Sequence, residues 1–427
     1  ELADTANAIR RNEVSEKKKN YFTKVKTDNH FWQPEQTLWL DSFQIKEIDN
    51  FPQEILQKSA TFANHILKYI EQHLEHTPCQ NLTQLFIENF SSKKTVSLLD
   101  FYELSVQHFN RWTDENITFS GTNNITKIIE KQTTDFQATL RGALFQIIGE
   151  RQLFWQATLD GYGQLFSRYL DLYNDNLKDD IIQLIKCDDI LLATVHDASI
   201  SNIQGFSTIA QYIIDATGTL QMPNVIGLQD IFCKYNKTSN RVELWDKNSV
   251  TKIKIINTSL ENIRNRSNMF QFLLALQDTA FSHKILFQND TGKMVHVGVH
   301  FFDRITFQDF LVLRRAKWRI DQQALPVLSK LNDNFEDFIV INKWLNSLKL
   351  PTKFYVRLDT NRFENDNYKP QYIDANVPNL VQLFEKLIRQ TTDFLIIEEA
   401  IPAPEDYPLI EKKPIKSEVA IFWKTKL

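Results

Sequence analysis

Glycine is scarce in this sequence. Only 10 of the 427 residues are glycine, whereas an average usage of about 7% would give about 30. Glycine-rich loops bring backbone N–H groups close to a phosphate, and the sequence contains neither the G-x-G-x-x-G nor the G-x-x-x-x-G-K-[ST] pattern of such loops. The sequence therefore excludes the dinucleotide-binding and P-loop classes. Any phosphate that binds here has to be held by side chains.

Cysteines and long apolar runs are also rare. The three cysteines, Cys79, Cys187 and Cys233, are too widely spaced to suggest a disulfide framework or a zinc site, so we expect free thiols in a reducing cytoplasm. No apolar run approaches the ~18 residues of a membrane span, and the polar first residues are not a signal peptide. Because residue 1 is Glu and not Met, we expect the chain to be a piece of a longer protein.

The rest of the composition is that of a globular protein. Hydrophobic residues make up 42% of the sequence and charged residues 24%, which provides enough apolar material for a large core. The length corresponds to about three domains of ~150 residues, or to one large composite domain. Since the formal net charge is -4, contact with nucleic acid would require a local basic patch.

Hydrophobic periodicity predicts an α+β fold with a helix-rich first half, followed by mixed, mainly antiparallel sheets with packed helices. We expect a basic N-terminal segment at 1–29, a mainly helical part at 30–188 and a mixed α+β part at 189–427. The predicted helices are 52–74, 82–90, 98–112, 136–159, 162–177, 335–348 and 377–389. The predicted strands are 37–43, 190–196, 210–214, 241–245, 252–256, 295–301, 307–320, 354–358, 371–374, 394–398 and 418–422, with a hairpin turn at 237–240.

Residues 310–319 form a basic strand pattern. Read with a period of two, this segment places Arg315, Lys317 and Arg319 on one face and Trp318 on the other. Side chains on one face of a strand lie ~6.6 Å apart, which is the scale of neighbouring phosphates, and Trp318 offers a stacking plane. The pattern therefore indicates a polyanion-binding strand. The alternative is an edge strand whose charges protect it against aggregation.

Histidines and acidic pairs give weaker indications. His296 and His300 would share one side of the predicted strand 295–301, but no third ligand at a suitable spacing suggests a metal, so we interpret them as structural. The pair Glu398 and Glu399 is interpreted as a solvated strand end. No nucleophile elbow and no Cys/His arrangement suggests covalent catalysis.

Four short motifs in the last third of the sequence resemble, in order and spacing, those of lantibiotic dehydratases. Residues 303–307 (DRITF) and 313–320 (LRRAKWRI) resemble the P-R-[IV]…R-x-x-W-R-[IL] stretch of this family. The other matching segments are 350–356 (LPTKFYV), 369–378 (KPQYIDANVP) and 399–404 (EAIPAP), followed by 417–419 (SEV). Fainter matches lie at 38–41 (LWLD), 86–90 (FIENF) and 96–100 (VSLLD). The resemblance thus covers about residues 30–427 and the later part of the family's large N-terminal domain.

The resemblance implies a tRNA-dependent transferase. Members of the family transfer glutamate from glutamyl-tRNA to Ser or Thr hydroxyls of a ribosomally made precursor peptide, and a separate domain then eliminates glutamate to leave dehydroamino acids. It implies a cytoplasmic enzyme of lanthipeptide (RiPP) antibiotic biosynthesis, with glutamyl-tRNA as co-substrate and no other cofactor or metal. The candidate partners are aminoacyl-tRNA, the precursor peptide, a cyclase or other biosynthetic enzymes, and a second copy of the chain.

The resemblance also implies site residues. Asp41 would accept a hydrogen bond from the attacking hydroxyl or hold the glutamyl ammonium, while Arg304 and Arg319 would bind the glutamyl carboxylate or the phosphates of the tRNA 3′ end. The candidate tRNA-binding residues are Arg314, Arg315 and Lys317. The structural alternatives are a strand-end cap for Asp41 and ion pairs for Arg304 and Arg319.

Two positions depart from the family pattern. Phe206 stands where an arginine is usual, and Asp303 replaces the proline before Arg304, where its carboxylate would neutralise that arginine. Two alternatives therefore stay open. One is a relative that adds a whole amino acid from aminoacyl-tRNA to the C-terminus of a peptide, and the other is a catalytically degenerate peptide-binding scaffold. We expect the chain to be inactive by itself, because family arginines that contact the substrate precede this segment.

Overall fold

The computed structural model describes most of the chain after residue 50. The described residues are 51–90, 95–109, 117–130, 140–160, 189–197, 210–257, 266–277, 281–329, 335–358, 370–410, 413–414 and 416–424, with the single residues 179, 183, 186 and 263. They form two units whose segments alternate along the sequence. The first unit takes the described residues of Pro78–Thr113 and Tyr162–Asp278, and the second takes those of Asn50–Thr77, Asp114–Gly161 and Thr279–Leu427. The predicted boundaries at 29 and 188 lie outside the described residues.

The described residues contain seven α-helices and twenty-two strands, so the α+β class is confirmed. The helices are α1 (Gln53–Gln72), α2 (Pro78–Phe90), α3 (Leu98–His108), α4 (Ile125–Glu130), α5 (Asn268–Ala275), α6 (Phe335–Ser347) and α7 (Pro378–Gln390). The strands are β1 (Leu74–Glu75), β2 (Val96–Ser97), β3 (Thr118–Phe119), β4 (Leu140–Ile148), β5 (Gln152–Asp160), β6 (Ile190–His196), β7 (Tyr212–Asp215), β8 (Val225–Gly227), β9 (Ile231–Asn236), β10 (Arg241–Asp246), β11 (Lys252–Ile255), β12 (Lys293–His296), β13 (Val299–Phe302), β14 (Ile305–Phe307), β15 (Leu311–Arg314), β16 (Lys317–Asp321), β17 (Lys353–Leu358), β18 (Gln371–Asp374), β19 (Phe394–Glu399), β20 (Leu409–Ile410), β21 (Lys413–Pro414) and β22 (Glu418–Lys424).

The first unit is built on a seven-stranded mixed sheet in the order β2-β9-β10-β11-β6-β7-β8. The strands from β2 to β11 in this order are antiparallel, whereas β11, β6, β7 and β8 run parallel. Helices α2, α3 and α5 contribute Phe86, Phe101 and Phe272 to the core of this sheet. The hairpin turn predicted at 237–240 is confirmed between β9 and β10.

The second unit contains a five-stranded sheet in the order β14-β15-β5-β4-β22. β4 and β5 form a hairpin whose turn includes Gly149 at φ +56°, a left-handed conformation that favours glycine. Helix α1 has a buried stripe that includes Phe62 and Ile66, and these side chains pack with Trp155 and Leu311 of the sheet. The helical spacing of this stripe explains why the sequence pattern identified α1 correctly.

The second unit also contains a six-stranded antiparallel sheet in the order β12-β13-β16-β19-β17-β18. Helices α6 and α7 pack on one face, where Phe384 of α7 meets the buried side chains of Phe354 and Ile397. Since side chains alternate between the two faces of a strand, the residues between these core positions lie on the opposite face. That opposite face carries the charged residues described below.

The helix predicted at 136–159 is wrong, and it accounts for much of the overestimated helical content of the first half. The described part of this segment forms β4 and β5, and every residue from Arg141 to Ile148 is buried. A strand covered on both faces has a continuous apolar pattern, which resembles that of a buried helix. Gly149, in the middle of the predicted helix, was the one signal of a turn.

Two predicted strands are in fact pairs of strands. Residues 295–301 span the end of β12, a turn at Gly298 with φ +72° and most of β13, so His296 and His300 lie on different strands. Residues 307–320 divide into β15 and β16, which belong to different sheets. The chain leaves the five-stranded sheet after Arg314 and enters the six-stranded sheet at Lys317. The prediction of one continuous strand face carrying Arg315, Lys317 and Arg319 is therefore wrong for Arg315.

The remaining predicted elements that the structure describes match observed helices and strands to within a few residues: 82–90, 98–112, 190–196, 210–214, 241–245, 252–256, 335–348, 354–358, 371–374, 377–389, 394–398 and 418–422. The predicted strand 37–43 and helix 162–177 lie outside the described residues. Among the helices given above, none combines the length and the apolar character that a bilayer crossing requires.

Candidate anion-binding site

Charged and aromatic side chains lie in register across the six-stranded sheet, on the face opposite α6 and α7. Lys317 pairs with Glu398, and Glu398 pairs with Tyr355. Two residues further along the strands, Arg319 and Arg357 both pair with Ile396. We call the set Lys317, Arg319, Tyr355, Arg357 and Glu398 the cationic face. It places three cations and one carboxylate on neighbouring strands.

Arg315 occupies the connection between the two sheets and borders the cationic face. Its guanidinium lies between two aromatic rings, 4.1 Å from the centroid of Phe154 and 4.9 Å from that of Tyr355. Its Nε donates to the Ile401 carbonyl at 2.6 Å, and Nη2 donates to Gln146 at 3.1 Å. Burial lowers the pKa of Arg315, and the Glu398 carboxylate opposes this shift. These contacts make Arg315 mainly a structural residue at the edge of the site.

Lys317 is the least compensated cation of the cationic face. Its Nζ lies 4.4 Å from the centroid of the Phe302 ring, and no carboxylate among the described residues lies within 4.0 Å of it. Burial lowers the pKa of Lys317, the Arg314 charge lowers it further, and Glu398 opposes both. A half-buried ammonium without a close carboxylate is suited to bind an incoming anion.

Lys284 adds another cation beside Arg315 and Arg357. Its side chain reaches solvent, yet the protein around it removes enough water for desolvation to lower the pKa of the ammonium. The charge of Glu398 opposes this shift, and the charges of Arg315 and Arg357 add to it. The charges that act on Lys284 are thus two guanidinium groups and one carboxylate, so its surroundings already hold more positive than negative charge.

Two adjacent carboxylates have different surroundings. Glu399 accepts hydrogen bonds from Arg304 at 2.8 and 2.5 Å and from the Ala316 N–H at 2.7 Å. Glu398 instead faces Arg315 Nη1 at 3.7 Å and Arg357 Nε at 3.8 Å, both longer than a hydrogen bond. Glu399 is therefore a structural acceptor that three protein donors already engage, whereas Glu398 balances nearby cations and keeps lone pairs that a donor can use.

The predicted site residues Arg304 and Arg319 lie near opposite ends of β19. Arg304 binds Glu399, the last residue of β19, and this hydrogen bond raises its pKa. Arg319 has its Nε 3.4 Å from Asp321 and stacks at 4.2 Å on Phe394, the first residue of β19. Since five residues of a strand span about 16 Å, the two arginines do not converge on one carboxylate. Their predicted catalytic roles stay predictions.

Arg314 and Asp303 form separate ion pairs. Arg314 donates to Asp290 at 2.6 Å and to the Asp303 carbonyl at 2.9 Å, so its guanidinium is held within the protein. The Asp303 carboxylate binds Lys293 at 2.7 Å. The expectation that Asp303 neutralises Arg304 is therefore wrong, because the carboxylate that neutralises Arg304 belongs to Glu399.

Sequence reasoning missed Lys284, Tyr355 and Arg357. The interpretation of Glu398 and Glu399 as a solvated strand end is wrong, because both side chains are mostly buried among arginines. Within 353–358, the alternation of Tyr355 and Arg357 with buried Phe354 and Val356 was a usable signal for a polar strand face. The motif segments 303–307, 313–320 and 399–404 do come together, through the contacts of Arg304 and Arg315. Asp41 and Phe206 lie outside the described residues. Within the residues that are described, no cluster of three or more His, Cys, Asp or Glu side chains is arranged to hold a metal ion.

Comparisons with solved structures identify the fold. The glutamylation domain TbtB from thiomuracin biosynthesis, bound to 5'-phosphodesmethylglutamycin, matches 87% of this chain with 13% identity and a TM-score of 0.60. A second structure of the TbtB glutamylation domain matches 87% of the chain with 13% identity and a TM-score of 0.58. The tRNA-dependent lantibiotic dehydratase MibB from Microbispora sp. 107891 matches 82% with 11% identity and a TM-score of 0.58.

These matches show that the chain shares the fold of the TbtB glutamylation domain and of the lantibiotic dehydratase MibB, as the sequence motifs led us to expect. The chain spans about half of the TbtB structures, 50% of each, and 38% of MibB. No protein-family model matches the sequence, and a comparison with curated proteins gave no match.

Proposed function

We propose that this chain is part of an enzyme that transfers glutamate from glutamyl-tRNA to Ser or Thr hydroxyls of a ribosomally made precursor peptide. The observation that supports the proposal best is the cationic face, on a fold shared with the TbtB glutamylation domain. The enzyme would act in the cytoplasm, and a separate domain would eliminate the glutamate. A cyclase and a second copy of the chain are further proposed partners.

The charges of the cationic face favour a nucleic acid. Three cations of the face, Lys317, Arg319 and Arg357, surround the Glu398 carboxylate, and Lys284 and Arg315 add two more at its border. Asp321 lies beside Arg319, and the charges of Asp290 and Glu399 act on Lys317 and Arg315, so cations still outnumber carboxylates. In a chain whose net charge is -4, this is a local concentration of positive charge. Binding of RNA phosphates to such a surface releases counterions and is therefore sensitive to salt.

The proposed reaction exchanges one ester for another. The hydroxyl oxygen of Ser or Thr attacks the glutamyl carbonyl carbon, a new C–O bond forms, and the bond from that carbon to the ribose oxygen breaks. The hydroxyl proton passes to the ribose oxygen, directly or through a side chain. Because the two esters are similar in energy, positioning and charge complementarity would supply the catalysis, and no cofactor besides glutamyl-tRNA is proposed. Asp41, Arg304 and Arg319 are proposed to take the catalytic roles given above.

Salt-dependent binding of tRNA tests the interface. The variant Lys317→Glu plus Arg357→Glu should weaken binding at least tenfold at low salt and reduce the slope of log affinity against log salt by about one per lost phosphate contact. The matched control is Lys343→Glu plus Lys386→Glu. It makes the same charge change at exposed positions of α6 and α7, on the other side of the sheet, and should bind like the wild type.

Product formation tests the activity. The complete protein, glutamyl-tRNA and the precursor peptide should give glutamylated or dehydrated peptide in a mass spectrum. Peptide extended at its C-terminus by an amino acid would instead indicate the ligase-like alternative. Peptide binding without any product would indicate a degenerate scaffold.

A further inference from the structure

Glu398 is an unexpected residue in a surface proposed to bind a polyanion. It lies at the centre of the cationic face, in register with Lys317 on one side and Tyr355 on the other. A carboxylate at this position repels phosphate, because like charges at close range raise the free energy of binding. A carboxylate at the centre of such a site is consistent with a ligand that also carries a positive group.

The distances around Glu398 leave its carboxylate able to accept a hydrogen bond from a ligand. The nearest guanidinium nitrogens of Arg315 and Arg357 lie 3.7 and 3.8 Å from the Glu398 carboxylate oxygens. Both charges attract the carboxylate, but neither is close enough to form a hydrogen bond, so a ligand donor can form one. Glu399 shows the contrasting arrangement, since Arg304 and the Ala316 N–H already occupy it. A primary ammonium can hydrogen-bond to Glu398 without breaking either ion pair.

The surroundings of Glu398 restrict the class of ligand. Lys317, Arg357 and Lys284 suit phosphodiester or carboxylate groups. The ring of Tyr372, 5.8 Å from that of Tyr355 between centroids, offers an aromatic surface for a base. The aminoacylated 3′ end of a tRNA combines these features, because it carries phosphodiesters, an adenine and, on the ester, an α-ammonium. Uncharged tRNA has all of them except the ammonium.

We propose that Glu398 binds the α-ammonium of the aminoacyl ester, so that the cationic face distinguishes aminoacylated tRNA from uncharged tRNA. This inference rests on the proposed function and deepens it. In this proposal Glu398 takes the ammonium-binding role that the sequence suggested for Asp41. The surrounding cations bind the phosphates of the tRNA and the carboxylate of the glutamyl group. Glu398 therefore binds the ligand and selects the aminoacylated form, and it takes no part in the ester exchange itself.

The test compares three ligands: glutamyl-tRNA, uncharged tRNA and N-acetylglutamyl-tRNA, in which the amine is no longer cationic. Wild-type protein should bind glutamyl-tRNA about tenfold more tightly than the acetylated form, the size expected of one charge-assisted hydrogen bond. In Glu398→Gln the ratio should fall to about one, while affinity for uncharged tRNA stays equal or rises. Glu398→Asp, which keeps the charge, should keep a preference for glutamyl-tRNA.

Glu103→Gln is the matched control, because it makes the same change at an exposed position of α3 in the first unit, and it should keep the wild-type ratio. An unchanged ratio in Glu398→Gln, or a wild type that binds all three ligands equally, overturns the role of Glu398 but leaves tRNA binding standing. A wild type that binds none of the three overturns the proposed function and this inference with it.

Discussion

The Arg304 guanidinium holds the Glu399 carboxylate at two points, 2.8 and 2.5 Å, and the same carboxylate accepts the Ala316 N–H at 2.7 Å. Three segments are thereby joined: the residues after β13, the connection from β15 to β16, and the end of β19. Glu399 is mostly buried, whereas almost half of the Arg304 side chain is exposed. The pair therefore fixes the position where the chain changes sheets.

Removal of Glu399 should cost more stability than removal of its partner. We expect Glu399→Ala to lower the free energy of unfolding by about 2 kcal/mol, because the buried Ala316 N–H and Arg304 both lose their acceptor. Arg304→Ala should cost no more than about 1 kcal/mol, since solvent screens the exposed end of the pair. Urea denaturation of both variants measures the difference, and equal losses would show that the backbone contact contributes little.

Substitution of Arg315 should mainly lower the stability of the fold, whereas substitution of Arg319 should mainly weaken the binding of tRNA. Arg315→Ala loses two hydrogen bonds and two aromatic contacts at a largely buried position, so we expect a loss of about 2–3 kcal/mol. Arg319 is exposed, and Arg319→Ala should change stability by less than about 0.5 kcal/mol while weakening tRNA binding. Thermal unfolding and filter binding of the two variants check both effects. A stable Arg315→Ala protein would contradict the structural role given to Arg315.

His283 should make stability depend on pH. It is buried and stacked on Trp155 at 4.1 Å between centroids, and burial lowers its pKa from 6.5 to about 3. Because the unfolded state binds the proton first as pH falls, this histidine contributes its full stability above pH 6.5. The contribution is lost below that pH at up to about 1.4 kcal/mol per pH unit. His283→Phe should show a shallower decline in urea denaturation between pH 6.5 and 5.

Cys79 and Cys233 should resist alkylation in the folded protein. Both are buried, and desolvation raises the pKa of each thiol, so neither forms the reactive thiolate at pH 8. Peptides containing these two cysteines should stay unmodified by iodoacetamide until denaturant is added. Mass spectrometry of the digested protein measures this. Rapid labelling of Cys233 in native buffer would mean that the core of the seven-stranded sheet opens locally.

Local patterns in the sequence predicted elements whose two faces differ. Helix α7 and strand β17 have one buried and one polar face, and period alone identified them. β4 is buried on both faces and was mistaken for helix. The site required information of another kind, because Lys317, Tyr355 and Glu398 meet only through the register of three strands separated by about 40 residues each. The spacing of residues along one strand does not reveal how neighbouring strands pair. In addition, β15 ends at Arg314 and the chain changes sheets there, so Arg315 does not lie on the predicted strand face.

The alternation of the two units along the chain has a consequence for synthesis. β4 is made early, yet its outer neighbour, β22, comes from residues 418–424, so the hairpin of β4 and β5 emerges from the ribosome with an unpaired apolar edge. Pairing over such long sequence separations is slow, and exposed strand edges promote aggregation. A nascent chain stopped before Glu418 would keep that edge open. Truncation before Glu418 should therefore reduce yield through aggregation, even though the cationic face lies entirely upstream.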